Sequence, residues 1–196
     1  MACRAGPREL FRDWSCRVAV GVTLVRGSEG TGKTSLLRLL AGELAASAGQ
    51  FRIGEVDLST QPEAYRHRVF LADPRTDAFD QVTPLAYLAS LQARYPGFDA
   101  ACVGALIDGL SLADHQHKPL YMLSTGSRRK VWFAGAVASG APLTLLDEPF
   151  AALDKRSISF VCEVLADAAA HSQRAWVLAD YEAPAGVPLA GVIALG

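Results

Sequence analysis

The sequence lacks the features that mark several large classes of protein. No segment approaches the run of about 18 apolar residues that a membrane-spanning helix needs, and the first residues are too polar for a secretory signal. The net charge of −1 argues against a general nucleic-acid binder, so we expect no nucleic-acid partner. The four cysteines are scattered without a C-x-x-C pair, which excludes a zinc ribbon and a dense disulfide framework. The length of 196 residues suits one domain with a sizeable core.

A glycine-rich run at residues 27–34 is the most informative feature that is present. It reads Gly-Ser-Glu-Gly-Thr-Gly-Lys-Thr and matches the phosphate-binding pattern G-x-x-x-x-G-K-[ST] in full. Its glycines allow tight turns that aim backbone N–H groups at an anion. Lys33 can reach the β- and γ-phosphates, and the Thr34 hydroxyl can ligate Mg²⁺. The nucleotide-binding set predicted here is Gly27, Ser28, Glu29, Gly30, Thr31, Gly32, Lys33, Thr34 and Ser35.

The order of apolar segments predicts an α/β fold. The predicted strands cover residues 18–25, 68–72, 143–146, 175–179 and 191–195. The predicted helices cover residues 35–44, 84–95, 99–110, 124–139 and 155–170. A further stretch, 49–58, alternates as a hairpin or an edge strand would. Strands that alternate with helices indicate a mostly parallel sheet flanked by helices, with a small antiparallel β part and an inserted helical part.

An Asp-Glu pair follows the apolar strand at residues 143–146. The strand would deliver Asp147 to its carboxyl end, where the carboxylate can hold Mg²⁺ through water. Glu148 would then be placed to orient or deprotonate an attacking water, which makes Glu148 and Lys33 the predicted catalytic residues. Thr34 and Asp147 are the predicted metal ligands. An isolated pair of this kind is also typical of a solvated strand end, and only its combination with the glycine-rich run favours catalysis.

Two further segments give the chain a family resemblance. Leu123-Ser-Thr-Gly-Ser127 and Leu146-Asp-Glu-Pro-Phe-Ala-Ala-Leu-Asp154 are similar to the signature and D-loop of the ATP-binding cassette family of transport ATPases. The resemblance extends from about Glu9 to Leu195. It implies one P-loop ATP-binding domain over residues 1–196, with a core at about 1–72 and 140–196 and a helical subdomain at about 74–139.

The signature suits anion capture. Ser124 and the Gly126 N–H stand at a predicted helix N-terminus, where unpaired amides favour a phosphate. The resemblance implies that this phosphate belongs to ATP on the P-loop of a second subunit, in a head-to-tail homodimer or heterodimer. The alternative is that Ser124 serves only as an N-cap.

Some positions depart from the family pattern. Asp73 stands where the family has a Mg²⁺-sensing glutamine, and Asp180 where a histidine contacts the γ-phosphate. An ionised aspartate repels phosphate. In place of the aromatic residue that stacks on adenine, the aligned region holds Cys3 or Arg4. These departures lead to the hypothesis that ATP binds well while hydrolysis is slow or is completed by a partner chain.

The resemblance implies an ATPase that uses ATP and Mg²⁺ to drive transport. The subunit would lie in the cytoplasm against the inner face of the cell membrane, bound to a separate permease near residues 73–91. Within the family the chain is most similar to the haem-export branch of cytochrome c maturation. The alternative is a catalytically weakened regulatory subunit, as half of a heterodimer. A small-molecule kinase is disfavoured because it has no use for a second chain's signature.

Overall fold

The computed structural model describes residues 3–5, 8–11, 15–47, 49–73, 76–171 and 173–196, with the side chains of residues 3–5 and 8–11 excepted. The strands are β1 (Cys3–Ala5), β2 (Arg8–Phe11), β3 (Gly21–Arg26), β4 (Arg52–Ile53), β5 (Val56–Asp57), β6 (Val69–Ala72), β7 (Leu143–Asp147), β8 (Ala175–Asp180) and β9 (Leu189–Ala194). The α-helices are α1 (Lys33–Leu40), α2 (Pro62–Arg66), α3 (Pro84–Arg94), α4 (Val103–Gly109), α5 (Thr125–Ala138) and α6 (Lys155–His171). A short 3₁₀ helix, η1, spans Leu120–Met122. None of the helices in these ranges is long and apolar enough to cross a membrane.

Five parallel strands form the central sheet, in the order β6-β7-β8-β3-β9. Parallel neighbours need crossover connections, which the intervening helices supply. The strands therefore all end at one edge, and β3, β7 and β8 lie side by side there. Two separate antiparallel pairs, β1 with β2 and β4 with β5, complete the β structure of the described residues. The predicted α/β fold with a mostly parallel sheet and a small antiparallel part is confirmed.

Helices cover both faces of this sheet, because alternate strand residues point to opposite sides. On one face Leu24, Trp176 and Leu178 pack with the inserted helices and α6 in the larger core. On the other face Val25 and Val177 pack with α1 and α2 in a second core. Because helices cover both faces, nearly every residue of β3, β7 and β8 is buried.

The chain between β6 and β7 forms the helical insert, which carries α3, α4, η1 and α5. Three aromatic rings, those of Phe79, Tyr87 and Trp132, meet edge to face, with centroids 4.6–5.8 Å apart. They tie the loop before α3 to α3 and α5. The division of the chain into a core and a subdomain at about 74–139 stays a prediction.

Two helix boundaries differ from the sequence prediction. The helix expected at 35–44 ends at Leu40, because Gly42 adopts a left-handed φ of 70° and turns the chain. The helix expected at 99–110 begins only at Val103. The Asp99 carboxylate accepts the Ala101 N–H at 2.9 Å, which holds a turn in place of the first helical turn.

Candidate nucleotide-binding site

The glycine-rich run forms the connection between β3 and α1. Gly30 and Gly32 adopt φ values of 74° and 97°, a backbone conformation that residues with a Cβ rarely take. Gly32 is also the N-cap of α1, so the unpaired N–H groups of the helix N-terminus face the loop. The Thr31 hydroxyl donates to the Ser28 carbonyl oxygen at 2.9 Å and closes the loop. This arrangement can bind phosphate.

Lys33 lies at the centre of the loop and is almost fully buried. Its Nζ donates to the carbonyl oxygens of Gly27 and Ser28 at 2.7 and 3.0 Å. The same Nζ lies 4.2 Å from the centroid of the Tyr181 ring, a cation–π contact. The lysine charge is therefore held by two carbonyl oxygens and one aromatic face.

Thr34 and Asp147 meet across the sheet edge. The Thr34 hydroxyl on α1 donates to Asp147 Oδ2 at the end of β7, at 2.8 Å. A hydroxyl and a carboxylate oxygen are ligand types that Mg²⁺ prefers, so these residues fit the ion. The structure brings together the two predicted metal ligands, which lie far apart in the sequence.

Glu148 follows β7 in a left-handed conformation, with φ at 48°. Such a backbone costs energy in a residue with a Cβ and persists only where neighbours hold it. The Glu148 N–H donates to the Ala179 carbonyl oxygen at 2.9 Å, and the Glu148 carbonyl oxygen accepts from Arg129 Nη1 at 2.6 Å. Contacts from β8 and from α5 thus fix the backbone on both sides of the Glu148 Cα at the sheet edge. Sequence reasoning missed the role of Arg129.

Asp180 ends β8 next to the same site. Burial raises the pKa of its carboxyl, the negative charges of Glu148 and Asp147 raise it further, and the Lys33 charge opposes them. Its Oδ1 accepts the Tyr181 N–H at 2.7 Å. The sequence prediction assigned Asp180 to the position of the γ-phosphate-contacting histidine. The structure instead brings the next residue, Tyr181, against Lys33.

Asp73, the residue expected at the family's glutamine position, follows β6. Its Oδ2 lies 3.9 Å from Arg38 Nη2 in the last turn of α1. This long, partly exposed ion pair links the loop after β6 to the helix of the P-loop. The other departure, at Cys3 or Arg4, concerns side chains outside the described part of the chain.

The signature segment begins α5. Ser124 is the N-cap: its hydroxyl oxygen accepts the Ser127 N–H at 3.1 Å, and it lies 3.0 Å from the Ser127 hydroxyl. Gly126 packs so closely on the Ala152 carbonyl oxygen that any Cβ would collide with it. The structural role of Ser124 is therefore present, and its phosphate-binding role stays a prediction.

A second contact ties the signature helix to the D-loop. Lys130 Nζ donates to Asp154 Oδ2 at 2.6 Å, and the Lys130 side chain is 10% exposed. Asp154 also accepts the Ser157 N–H and hydroxyl at 2.9 and 3.0 Å, which caps the start of α6. The Lys130 hydrogen bond and those of Ser157 hold the pKa of the Asp154 carboxyl well below its usual range.

Comparisons with known proteins agree with this geometry. A family model described as ABC transporter matches residues 14–151. The chain is 36% identical over 174 residues to the cytochrome c biogenesis ATP-binding export protein CcmA of Pseudomonas syringae pv. syringae, covering 87% of this chain and 81% of that protein. The CcmA of Aromatoleum aromaticum is 36% identical over 193 residues, with 96% and 89% covered.

Solved structures share the fold at low sequence identity. The ATP-binding subunit of an ABC transporter superposes with a TM-score of 0.82 at 20% identity, covering 92% of this chain and 76% of that one. A bacterial Atm1-family ABC exporter with ATP bound superposes with a TM-score of 0.74 at 22% identity, covering 92% and 33%.

Proposed function

The chain belongs to the ABC transporter family as one of its ATPases, and we propose that it powers export through a separate membrane permease. Export is supported by the relatives, and the observation that supports the ATPase activity behind it is the contact of Thr34 with Asp147, at 2.8 Å, next to Lys33 and Glu148 in the sequence. A loop that only binds an anion has no need of a carboxylate pair at the same sheet edge. An enzyme that hydrolyses a nucleoside triphosphate needs both.

Each residue of the site then has a role. Residues 27–35 bind the phosphates of ATP through backbone N–H groups, and Lys33 turns from its two carbonyl partners to the β- and γ-phosphates. Thr34 and Asp147 are the residues that would hold Mg²⁺, and the ion would offset phosphate charge there. Glu148 accepts the proton of the attacking water. The contacts that fix its backbone start the Glu148 side chain from a defined position at the sheet edge.

The signature completes the site of a second subunit. Ser124 and the Gly126 N–H lie at the N-terminal end of α5, a helix of 14 residues, where the dipole favours an anion. We infer that two ATP-binding subunits pair head to tail, so that each signature binds the ATP held by the other. Binding of ATP closes the pair and hydrolysis reopens it, which gives the permease two states.

Haem export for cytochrome c maturation is the finer part of the proposal. It is supported by relatives in two genera, both described as cytochrome c biogenesis ATP-binding export proteins, that align with most of this chain. The subunit would then lie on the cytoplasmic side of the cell membrane, held there by its permease.

Steady-state MgATP hydrolysis by the purified chain tests the enzymatic part. We compare wild type with Glu148→Gln, and use Glu55→Gln in the exposed turn between β4 and β5 as the matched control. Hydrolysis should disappear in Glu148→Gln while ATP binding persists, and Glu55→Gln should behave as wild type. Equal turnover in both variants would refute the assigned role of Glu148. Tight binding without turnover in every protein would favour a regulatory subunit, or one that needs its permease.

Cells that lack the chain test the finer part. Covalent haem attachment to c-type cytochromes, seen on haem-stained gels, should be lost and then restored by wild type but not by Glu148→Gln. Haem proteins without covalent attachment serve as the control. Normal c-type cytochromes in the deletion strain would refute haem export and leave the ATPase assignment intact.

A further inference from the structure

Tyr181 is a residue of the site to which the mechanism above gives no role. It follows the last residue of β8, and β8 lies between β7, which leads to Asp147, and β3, which leads to the P-loop. Parallel strands end at one edge, so the sheet places Tyr181 among the nucleotide-binding groups. Tyr181 is 47% exposed, so a nucleotide on the P-loop can reach it.

The ring of Tyr181 contacts the lysine that binds the phosphates. The ring centroid lies 4.2 Å from Lys33 Nζ, while Gly27 and Ser28 accept two of the three ammonium protons. A phosphate oxygen bonded to Lys33 must lie about 2.7–2.9 Å from the same nitrogen. The phosphate that Lys33 binds and the Tyr181 ring are therefore neighbours.

The hydroxyl of Tyr181 has the chemistry that this position needs. Burial and the nearby charges of Glu148, Glu29 and Asp180 all raise the pKa of the phenol, so the hydroxyl keeps its proton at neutral pH. A protonated phenol donates a hydrogen bond to phosphate, whereas the neighbouring carboxylate of Asp180 only repels it. A donor is thus present beside Lys33 although the histidine of the family is missing.

We propose that Tyr181 binds the γ-phosphate of ATP through its hydroxyl and so positions that phosphate for attack. This inference rests on the proposed function, since it requires ATP on the P-loop. When a nucleotide binds, Lys33 exchanges its two carbonyl partners for phosphate oxygens, the ring stays beside the ammonium, and the hydroxyl turns to the phosphate. The residue makes the site selective for ATP over ADP, because ADP lacks the group that the hydroxyl binds.

Calorimetric binding of MgATP and MgADP tests the inference, with Glu148→Gln as the parent so that ATP is not consumed. Tyr181→Phe keeps the ring on Lys33 and removes only the hydroxyl. We expect it to weaken MgATP binding about tenfold, or about 1.4 kcal/mol, and to leave MgADP binding within about twofold. Tyr181→His restores a donor and should recover most of the loss. Tyr121→Phe, at a tyrosine that is 54% exposed in η1, is the matched control.

The outcomes separate the inference from the function on which it rests. Unchanged MgATP binding in Tyr181→Phe would overturn the inference but not the proposed function. The Tyr181 ring would then serve only to shield Lys33. An equal loss for MgATP and MgADP, or a Tyr181→His variant no better than Tyr181→Phe, would also overturn it. A parent chain that binds no MgATP would overturn both the inference and the proposed function.

Discussion

Replacement of Arg174 by alanine should destabilise the fold far more than the loss of an ordinary surface arginine. The guanidinium donates to the carbonyl oxygens of Ala136, Val137 and Ala141 and to the Thr144 hydroxyl, at 2.8–3.0 Å. Two of these acceptors lie in the last turn of α5, whose final carbonyls have no partner within the helix. Arg174 therefore caps the helix that begins with the signature and joins it to the starts of β7 and β8.

The magnitude follows from these four bonds. A net hydrogen bond contributes about 1 kcal/mol, and water can replace part of the loss because Arg174 is only partly buried. The guanidinium also stacks on the Trp176 ring at 4.6 Å. We expect Arg174→Ala to lower the free energy of unfolding by about 2–3 kcal/mol, which for a chain of this size lowers Tm by about 4–12 °C. Burial lowers the pKa of Arg174 to about 10, so the side chain keeps its charge at neutral pH.

Urea unfolding followed by circular dichroism measures this change without relying on the fluorescence of Trp176. Arg156→Ala, at an exposed position of α6, is the matched control and should stay within about 0.5 kcal/mol of wild type. Arg174→Lys keeps the charge but not the planar set of donors, and its stability should lie between those of wild type and Arg174→Ala. A free energy of unfolding for Arg174→Ala within about 1 kcal/mol of wild type would refute the capping argument.

Three further predictions concern the site. Thr34→Ala removes the hydroxyl bonded to Asp147 and should abolish the dependence of ATP affinity on Mg²⁺, measured by titration with and without EDTA; an unchanged dependence would contradict the metal assignment. Gly126→Ala places a Cβ against the Ala152 carbonyl oxygen. The variant should still bind ATP but should not form the ATP-dependent dimer, which light scattering measures, and a normal dimer would contradict the role of the signature in pairing. Asp180→Asn should be more stable than wild type at neutral pH, because the raised pKa makes ionised Asp180 costly. In urea unfolding this gain should shrink as the pH falls through that pKa, and a pH-independent difference would contradict it.

Local patterns in the sequence were enough to predict the α/β fold and the order of the sheet strands from β3 to β9, but not the pair β1 and β2. The glycine-rich run and the Asp-Glu pair each follow a predicted strand and precede a helix or a turn. Their position at the end of a strand, and so at a sheet edge, can therefore be predicted from the neighbouring residues alone. Thr34 and Asp147 were each predicted as a metal ligand, and their contact agrees with parallel strands that end at one edge. Each of these predictions needs only the residues of one segment, or the knowledge that two segments are parallel strands of one sheet.

Contacts that depend on the lateral order of the strands were not predicted. Tyr181 reaches Lys33 because β8 lies beside β3, and nothing local to residues 175–181 indicates that neighbour. Arg174 sits in a short polar stretch before a strand, a pattern typical of exposed residues. Only the folded arrangement brings the end of α5 within its reach. The position just after β8 was the available signal for Tyr181, but only Asp180 was considered there.

The contacts of α5 bear on how two subunits can affect each other. The helix that begins at the signature holds the Glu148 carbonyl oxygen through Arg129, and holds Asp154 through Lys130. Gly126 lies against the backbone between these two acidic residues. Packed elements with such close contacts do not slide freely, so α5 cannot shift without breaking the contacts or moving the peptide of Glu148. In the proposed pair, a phosphate bound at the signature of one subunit would therefore be mechanically connected to the Glu148 backbone of that same subunit. Loss of the Arg129 contact alone, in Arg129→Met, should leave ATP binding and ATP-dependent dimer formation intact but lower the turnover of the dimer, because the signature no longer holds the Glu148 backbone. Turnover measured at protein concentrations where the dimer is saturated tests this, and a rate equal to that of wild type would contradict the coupling.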